Sequence, residues 1–440
     1  MKKIIIIFIL FVLVQNLYSS NIISLPYITA DVVFSKKNDK LYAVIDVMDT
    51  AYGNRLIEIN PSTGAIERSL YVGSQPNMLR LTTDENYAWI SFSAIPFVKR
   101  IDLNLFNIDK EIYLGQSRQT NSGNILNSQI ISYNFTVFPN ENNKLAITQQ
   151  ARGIFNWDGI VLYKDDKIQP KKINPPEFPS CIEPVLNSSY LIGHQQTSNS
   201  SVFTTMKILD DGLEIQDTFK NLIEINGTYR NNFKVHNDTL FVAEGMIIDA
   251  KNIYDLRYLG KCKNDFIDDM YGFAFSEIHD AFVYPNYKSD SLYLTFYDKH
   301  NFQAFKSLFL REYTFNQLMM ILKLEIIDEN KFAILLGKDY GNFYIDIIET
   351  ERIETGITNK LFEEIEIYPN PTRDKIFISG NQELNKIEIF NLLGDLIATR
   401  ESNLENQEIN IRNFEPGIYY IKVVNPHNNS ILCIKKIVVY

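Results

Sequence analysis

Five short stretches of the chain carry side chains suited to holding a ligand: Gln149, Gln150, Arg152 and Trp157; His194, Gln195 and Gln196; Tyr229 and Arg230; Asp298 and His300; and Lys338, Asp339 and Tyr340. Amides and guanidinium groups offer directional hydrogen bonds, and aromatic rings offer flat apolar faces. Together these are the means of binding a sugar or a peptide. Catalytic chemistry asks for more, and the sequence does not supply it. The histidines His194, His236, His279, His300 and His427 show no pair at metal-ligand spacing. Asp268-Asp269 reads as a solvated acidic pair in a loop. Asp210-Asp211-Gly212 lacks the alternating oxygen ligands of a calcium loop. No Gly-x-Ser-x-Gly elbow, phosphate loop or dinucleotide fingerprint is present. The expectation is a binding protein with no catalytic residues, no metal and no cofactor.

The elements that must position these residues are strands. Among 440 residues, 25 Tyr and 29 Phe outweigh 19 Gly and 15 Pro, a balance that favours β-structure. A formal net charge of −10 argues against a protein that tracks nucleic-acid phosphates. Cys181, Cys262 and Cys433 are too few and too scattered for a disulfide framework or a cysteine-based zinc site. At the start, Met1-Lys2-Lys3 precedes an unbroken apolar run from Ile4 to Val14, short of the ~20 residues that span a bilayer. Residues 1–20 are therefore predicted to be a secretory signal peptide cleaved near Ser19 or Ser20, and no later segment reads as transmembrane.

Through the middle of the chain a phrase recurs: two or three Asn, Asp or Ser residues, an aromatic or Leu, then apolar positions. It reads Asn38-Asp39-Lys40-Leu41-Tyr42, Asp84-Glu85-Asn86-Tyr87-Ala88, Asn142-Asn143-Lys144-Leu145, Asn187-Ser188-Ser189-Tyr190, Asn237-Asp238-Thr239-Leu240, Ser289-Asp290-Ser291-Leu292 and Glu329-Asn330-Lys331-Phe332. Seven copies spaced roughly 48 residues apart suit units of four short antiparallel strands, which must pack on neighbouring units to bury both faces. The first unit reads as strands at Asp31–Ser35, Lys40–Val44, Asn54–Asn60 and Ala65–Val72, with Asn60-Pro61-Ser62-Thr63-Gly64 as the last turn. The reading is a seven-bladed β-propeller over residues 21–350. The last unit shows only three strands, so Asn21 to Thr29 is expected to supply its missing outer strand and close the ring.

The stretch from Leu56 to Ile90, with its Ile-Asn-Pro-Ser-Thr-Gly turn, its Tyr-Val-Gly-Ser-Gln-Pro-Asn join and its Asp84-Glu85-Asn86 hairpin, resembles YVTN-type propeller repeats, and in that turn quinoprotein-like repeats. In such propellers, sites form where the loops between second and third strands, and those between blades, converge around the central channel. Arg152, Trp157, His194, Gln195, Tyr229, Arg230, Asp298, His300, Asp339 and Tyr340 are placed on that rim, facing an unknown protein or glycan. The alternative is an extracellular propeller enzyme, either a glycan hydrolase or lyase or a quinoprotein-like oxidoreductase.

After a polar linker at residues 351–363, residues 364–440 read as seven short strands, a compact immunoglobulin-like β-sandwich. Tyr368-Pro369-Asn370-Pro371-Thr372, the strand and turn ending at Gly394, Pro416-Gly417-Ile418-Tyr419 and the terminal Lys435-Lys436 closely resemble, in order, the type A C-terminal sorting domain of type IX (Por) secretion cargo in Bacteroidetes. That resemblance implies passage through the periplasm, recognition by the outer-membrane translocon and removal by a sortase-like peptidase. The product would be released outside the cell or attached to surface lipopolysaccharide.

Overall fold

The computed structural model describes residues 20–440 apart from 122–123, 154–155, 175–178, 197–200, 224–232, 243–244, 263–271, 289–290, 313–320, 340–341, 351–365, 380–383, 392–394, 404–406 and 425–430. The predicted signal peptide, apart from its last residue, lies outside the described residues. The chain divides into two compact units between Glu351 and Arg352.

The first unit is a β-propeller of seven antiparallel sheets. The second strand of each blade shows why the sheets assemble into a ring. In Lys40–Ile45 every residue after Lys40 is buried, so the strand is apolar throughout rather than alternating. Successive side chains of a strand point to opposite faces. Accordingly Leu41, Ala43 and Ile45 join a cluster with Ala333, Leu335, Ile345 and Ile347 of blade 7. Tyr42 and Val44 face the other way, into a cluster with Leu79, Ala88 and Ile90 of blade 2. The same division recurs around the ring, so each hydrophobic cluster is built by two adjacent blades. No blade buries its surface alone.

Blade 1 comprises Thr29–Ser35, Lys40–Ile45, Arg55–Ile59 and Ile66–Tyr71, close to the strands read from the sequence. Its sheet order follows the chain, as do those of blades 2 to 6. Blade 3 carries an addition: the hairpin of Gln116–Asn121 and the first half of Asn124–Phe138 extends its innermost strand. Blade 7 has three strands of its own, Ile321–Ile326, Lys331–Asp339 and Asn342–Thr350. Its outer place is taken by Ser20–Ser24, paired antiparallel with Ile22 opposite Ile348 and Ile23 opposite Ile347. The expected closure therefore forms, over a shorter segment than Asn21 to Thr29.

Six of the seven repeat phrases open second strands. The sixth does not: Ser291 begins the third strand of blade 6, Ser291–Asp298, and the second strand is Ala281–Lys288. Asn, Asp and Ser mark any tight reversal, so the signal could not tell the two hairpins of that blade apart. These turn residues also join blades. Glu85 accepts hydrogen bonds from Ser35 Oγ at 2.7 Å and the Lys37 amide at 2.8 Å. Asn142 donates to Asp84 at 2.8 Å, and Asp238 accepts from the Leu186 amide at 2.7 Å.

The second unit packs a three-stranded sheet on a four-stranded one. Ile376, Ile378 and Ile409 of the first meet Ile387, Ile389, Ile421, Val423 and Ile437 of the second in one core. This is the expected small sandwich of seven strands.

Replacing both Ile22 and Ile23 with Asp should open the ring at its seam. The two side chains are only partly buried, so the expected loss is about 2–4 kcal/mol, read by chemical denaturation, while Ser24→Ala, at an exposed position of the same strand, should leave stability nearly unchanged.

Candidate functional site

The innermost strands of the blades surround a channel of about 1030 Å³. Its lining runs from Leu186, Asn187, Asn237 and Asp238 at one end to Ser93, Tyr133, Gln150 and Ser180 at the other. The first end holds the hairpins between first and second strands. The second end is the face where second-to-third-strand loops and blade-to-blade links emerge.

Charged residues sit at the waist. Asp31 comes from blade 1, Arg80 from blade 2, Glu183 from blade 4, Lys234 from blade 5, and Lys323 from blade 7. Glu325 lies beside Lys323, with 3.9 Å between the charged atoms. Asp31 is fully engaged: its carboxylate accepts from the Val32 amide at 2.9 Å, the Leu79 amide at 2.8 Å and Lys323 Nζ at 2.7 Å. Glu325 accepts from the Phe34 amide at 3.2 Å. Glu183 accepts from Thr136 Oγ1 at 2.9 Å and faces Arg80 Nη2 at 3.7 Å. Burial raises the Glu183 carboxyl above its ordinary value, against the pull of Arg80 and Thr136. Burial lowers the Lys234 ammonium, with Glu325 opposing.

Among the described residues, the rim residues expected from the sequence do not converge as a set. On blade 3, Gln150 lies directly across the sheet from both Ile131 and Trp157. Trp157 packs edge to face on Tyr133, with ring centroids 4.7 Å apart. Tyr133 is 38% exposed and lines the channel mouth. Arg152 is exposed in the adjoining turn, where its carbonyl accepts from Ser128 Oγ. Gln149 is turned inward, donating to Tyr163 Oη at 3.3 Å.

His194 is not on the rim. Its ring is fully buried, stacks on Phe203 at 4.2 Å and shares a 2.9 Å hydrogen bond with Ser201 Oγ. The strand Tyr190–Gln196 is apolar on both sides, so a residue near its end still points between blades 4 and 5. Desolvation pushes this imidazole down to about 3. Gln195 is half-buried, and its Oε1 has no hydrogen-bond partner among the described residues.

Asp298 and His300 occupy the hairpin between the third and fourth strands of blade 6, at the opposite end of the propeller. The misread sixth repeat is the cause. Asp298 accepts from the His300 and Asn301 amides at 2.9 and 3.0 Å, which fixes that turn and holds its carboxyl low. Tyr229, Arg230 and Tyr340 lie outside the described residues, as do the side chains of Lys338 and Asp339.

The channel residues themselves were not singled out in the sequence. Their signal was a charged residue flanked by apolar ones in a first strand, as at Arg80 between Leu79 and Leu81 or Lys323 between Leu322 and Leu324.

In the second unit the entry turn of the sorting motif is tied to the terminal strand. Asn370 donates to the Lys436 carbonyl at 2.8 Å and accepts from the Val438 amide at 2.9 Å. Thr372 pairs with the same strand, its amide donating to the Val438 carbonyl at 2.8 Å. Tyr368, ahead of Pro369 and Pro371, stacks on Phe377 at 5.8 Å. Tyr419, after Pro416 and Gly417, donates to the Glu415 carbonyl at 2.9 Å. Lys435 and Lys436 are exposed on the terminal strand, an edge of its sheet. Gly394 lies outside the described residues.

Comparison with known proteins agrees with both units. Residues 366–440 match the secretion system C-terminal sorting domain, and this part of the chain belongs to that family. The propeller resembles the β-propeller domain of Cps50 (Swd1) from Myceliophteria thermophila, at a TM-score of 0.52 and 13% identity over 75% of this chain and 99% of that one. It also resembles hydrazine synthase of Kuenenia stuttgartiensis, at a TM-score of 0.50 and 11% identity over 75% of this chain and 97% of that one. At these identities the likeness establishes the fold alone. An ulvan lyase of Nonlabens ulvanivorans is 35% identical over 80 residues, which are 18% of this chain and 15% of the lyase. The chain is thus a β-propeller carrying a type IX sorting domain, which implies contact with the secretion machinery and delivery to the cell surface or beyond. Among the described residues no helix is long and apolar enough to cross a membrane.

Two outcomes follow. Asn370→Ala removes both side-chain bonds that tie the motif to the terminal strand, so the exported fraction should fall and periplasmic protein accumulate, read by cell fractionation. A buried neutral His194 binds its proton only on unfolding, so its stabilising contribution is complete above pH 6.5 and declines as pH falls toward 3. His194→Phe should flatten the stability profile between pH 6.5 and 5, a range above most carboxylate titration, as followed by urea denaturation.

Proposed function

We propose that the protein is an exported, non-enzymatic binding propeller, and that a glycan docks at the blade 3 corner of the channel mouth. The observation that carries this reading is the Tyr133–Trp157 pair, an aromatic ledge beside an amide at Gln150 and an exposed guanidinium at Arg152. Sugar rings present apolar C–H faces to such a ledge and hydroxyls to such donors and acceptors. A flexible peptide would lose more conformational entropy on the same small patch.

The carboxylates of the waist give the enzyme alternative its best footing, because a pair of carboxyls with separated pKa values is how glycoside hydrolysis is run. Glu183, raised by burial, would be the acid. Asp31 makes a poor partner base, since both of its oxygens already accept hydrogen bonds from the protein. The lyase resemblance covers a stretch about as long as the sorting domain and 15% of the lyase, so it supplies no argument about the propeller.

The test is a glycan binding screen with the secreted protein, alongside the Tyr133→Ala and Trp157→Ala variants. Loss of one ledge ring should weaken a hit at least tenfold, about 1.4 kcal/mol, with no change in the products of incubated polysaccharide. Glycan cleavage that disappears in Glu183→Gln would establish the enzyme instead.

A further inference from the structure

Among the described residues, blade 3 is the one propeller sheet with a fifth strand, Gln116–Asn121, which pairs with the first half of Asn124–Phe138. Closing the ring does not call for it, since every other blade is complete with four. The added hairpin is nevertheless fixed to the blade. Ser117 and Ser128 lie directly opposite one another, so their side chains share a face. Ser117 Oγ donates to Asp158 Oδ1 at 3.0 Å, and Ser128 Oγ donates to the Arg152 carbonyl. The Arg152 amide donates in turn to the Gln129 carbonyl at 2.8 Å, which sets the hairpin against the turn beside the aromatic ledge.

The opposite face of the hairpin is open. Side chains alternate along a strand, so the face turned away from Ser128 and buried Ile130 carries Asn127, Gln129, Ile131 and Tyr133. Ile131 and Tyr133 line the channel mouth. Gln116 stands across from Gln129 on the added strand, and Gln150 with Trp157 continues the row at Ile131 across the blade. The ledge and the hairpin therefore present one continuous surface, and Tyr133 back to Asn127 is about 20 Å of extended strand. Asn127, Gln129 and Gln116 are exposed, and their side chains form no hydrogen bond among the described residues.

The chemistry of this surface is uncharged hydrogen bonding. From Gln116 to Tyr133 the sequence has no Asp, Glu or Lys and one Arg, in a chain with 53 acidic residues. A primary amide offers donors and an acceptor side by side, which suits the neighbouring hydroxyls of a sugar. A row of amides repeats that match along a linear chain. We infer, building on the glycan reading of the ledge, that the ledge is the inner end of a longer track and that the protein binds an internal stretch of a linear, hydroxyl-rich polysaccharide. One sugar stacks at Tyr133 and Trp157, and Gln129, Gln116 and Asn127 take the hydroxyls of the units that follow outward along the hairpin.

Calorimetric titration of the secreted protein with cello-, manno- and xylo-oligosaccharides, each from disaccharide to hexasaccharide, tests it. Affinity in the preferred series should rise at least tenfold with length. A variant combining Gln116→Ala, Asn127→Ala and Gln129→Ala should lose that gain and still bind the disaccharide as the unchanged protein does, with unaltered stability to urea. Trp157→Ala should weaken every length alike. Binding that does not grow with length, or growth that survives the triple substitution, would overturn the track and leave the ledge standing. Absence of binding by every oligosaccharide would overturn both.

Discussion

The pairing of Ser20–Ser24 with Asn342–Thr350 is the constraint on which the propeller depends. A blade in this fold is buried on both faces, and each of its clusters is completed by a neighbour. Such an arrangement has no natural end. Without the N-terminal strand, blade 7 would carry an open edge of unpaired amides and carbonyls, and edges of that kind invite pairing with other chains. With it, the first and last parts of the unit are joined by backbone hydrogen bonds, and Ile22 packs into the core shared by blades 6 and 7.

Closure also creates the channel. The innermost strands have one face toward the ring centre, where water remains, so polar and charged residues appear within strands whose other positions are buried. Asp31, Glu183 and Lys323 are each tied to residues of other blades. Their bonds run across blade boundaries, so the polar waist adds a second set of links inside the hydrophobic one. Chemistry at Asp31 is restricted for the same reason, because a carboxylate already holding three donors is poorly placed to take a proton from a substrate.

Much of this was legible in the sequence. The turn residues followed by apolar runs located the second strands of six blades, and the missing fourth strand of blade 7 pointed to the N-terminus. The Tyr-Pro-Asn-Pro and Lys-Lys phrases marked the sorting domain, where Asn370 proves to hold the two together. The candidate site was less legible, for physical reasons. A hairpin signal does not say which hairpin it opens, and that sent Asp298 and His300 to the wrong face. A histidine followed by two glutamines looks exposed until its strand is known to be buried on both sides, as at His194. The charged waist depends on which of two faces each first strand turns to the centre, and only the closed ring determines that.

The propeller and the sorting domain are separate compact units of the chain. The division into exported propeller and sorting domain is tested most directly by producing the chain with residues 366–440 deleted and locating it by cell fractionation. The expected result is a protease-resistant propeller held in the periplasm and missing from the cell surface and medium. Surface display or release of that truncated chain at the level of the intact protein would contradict it.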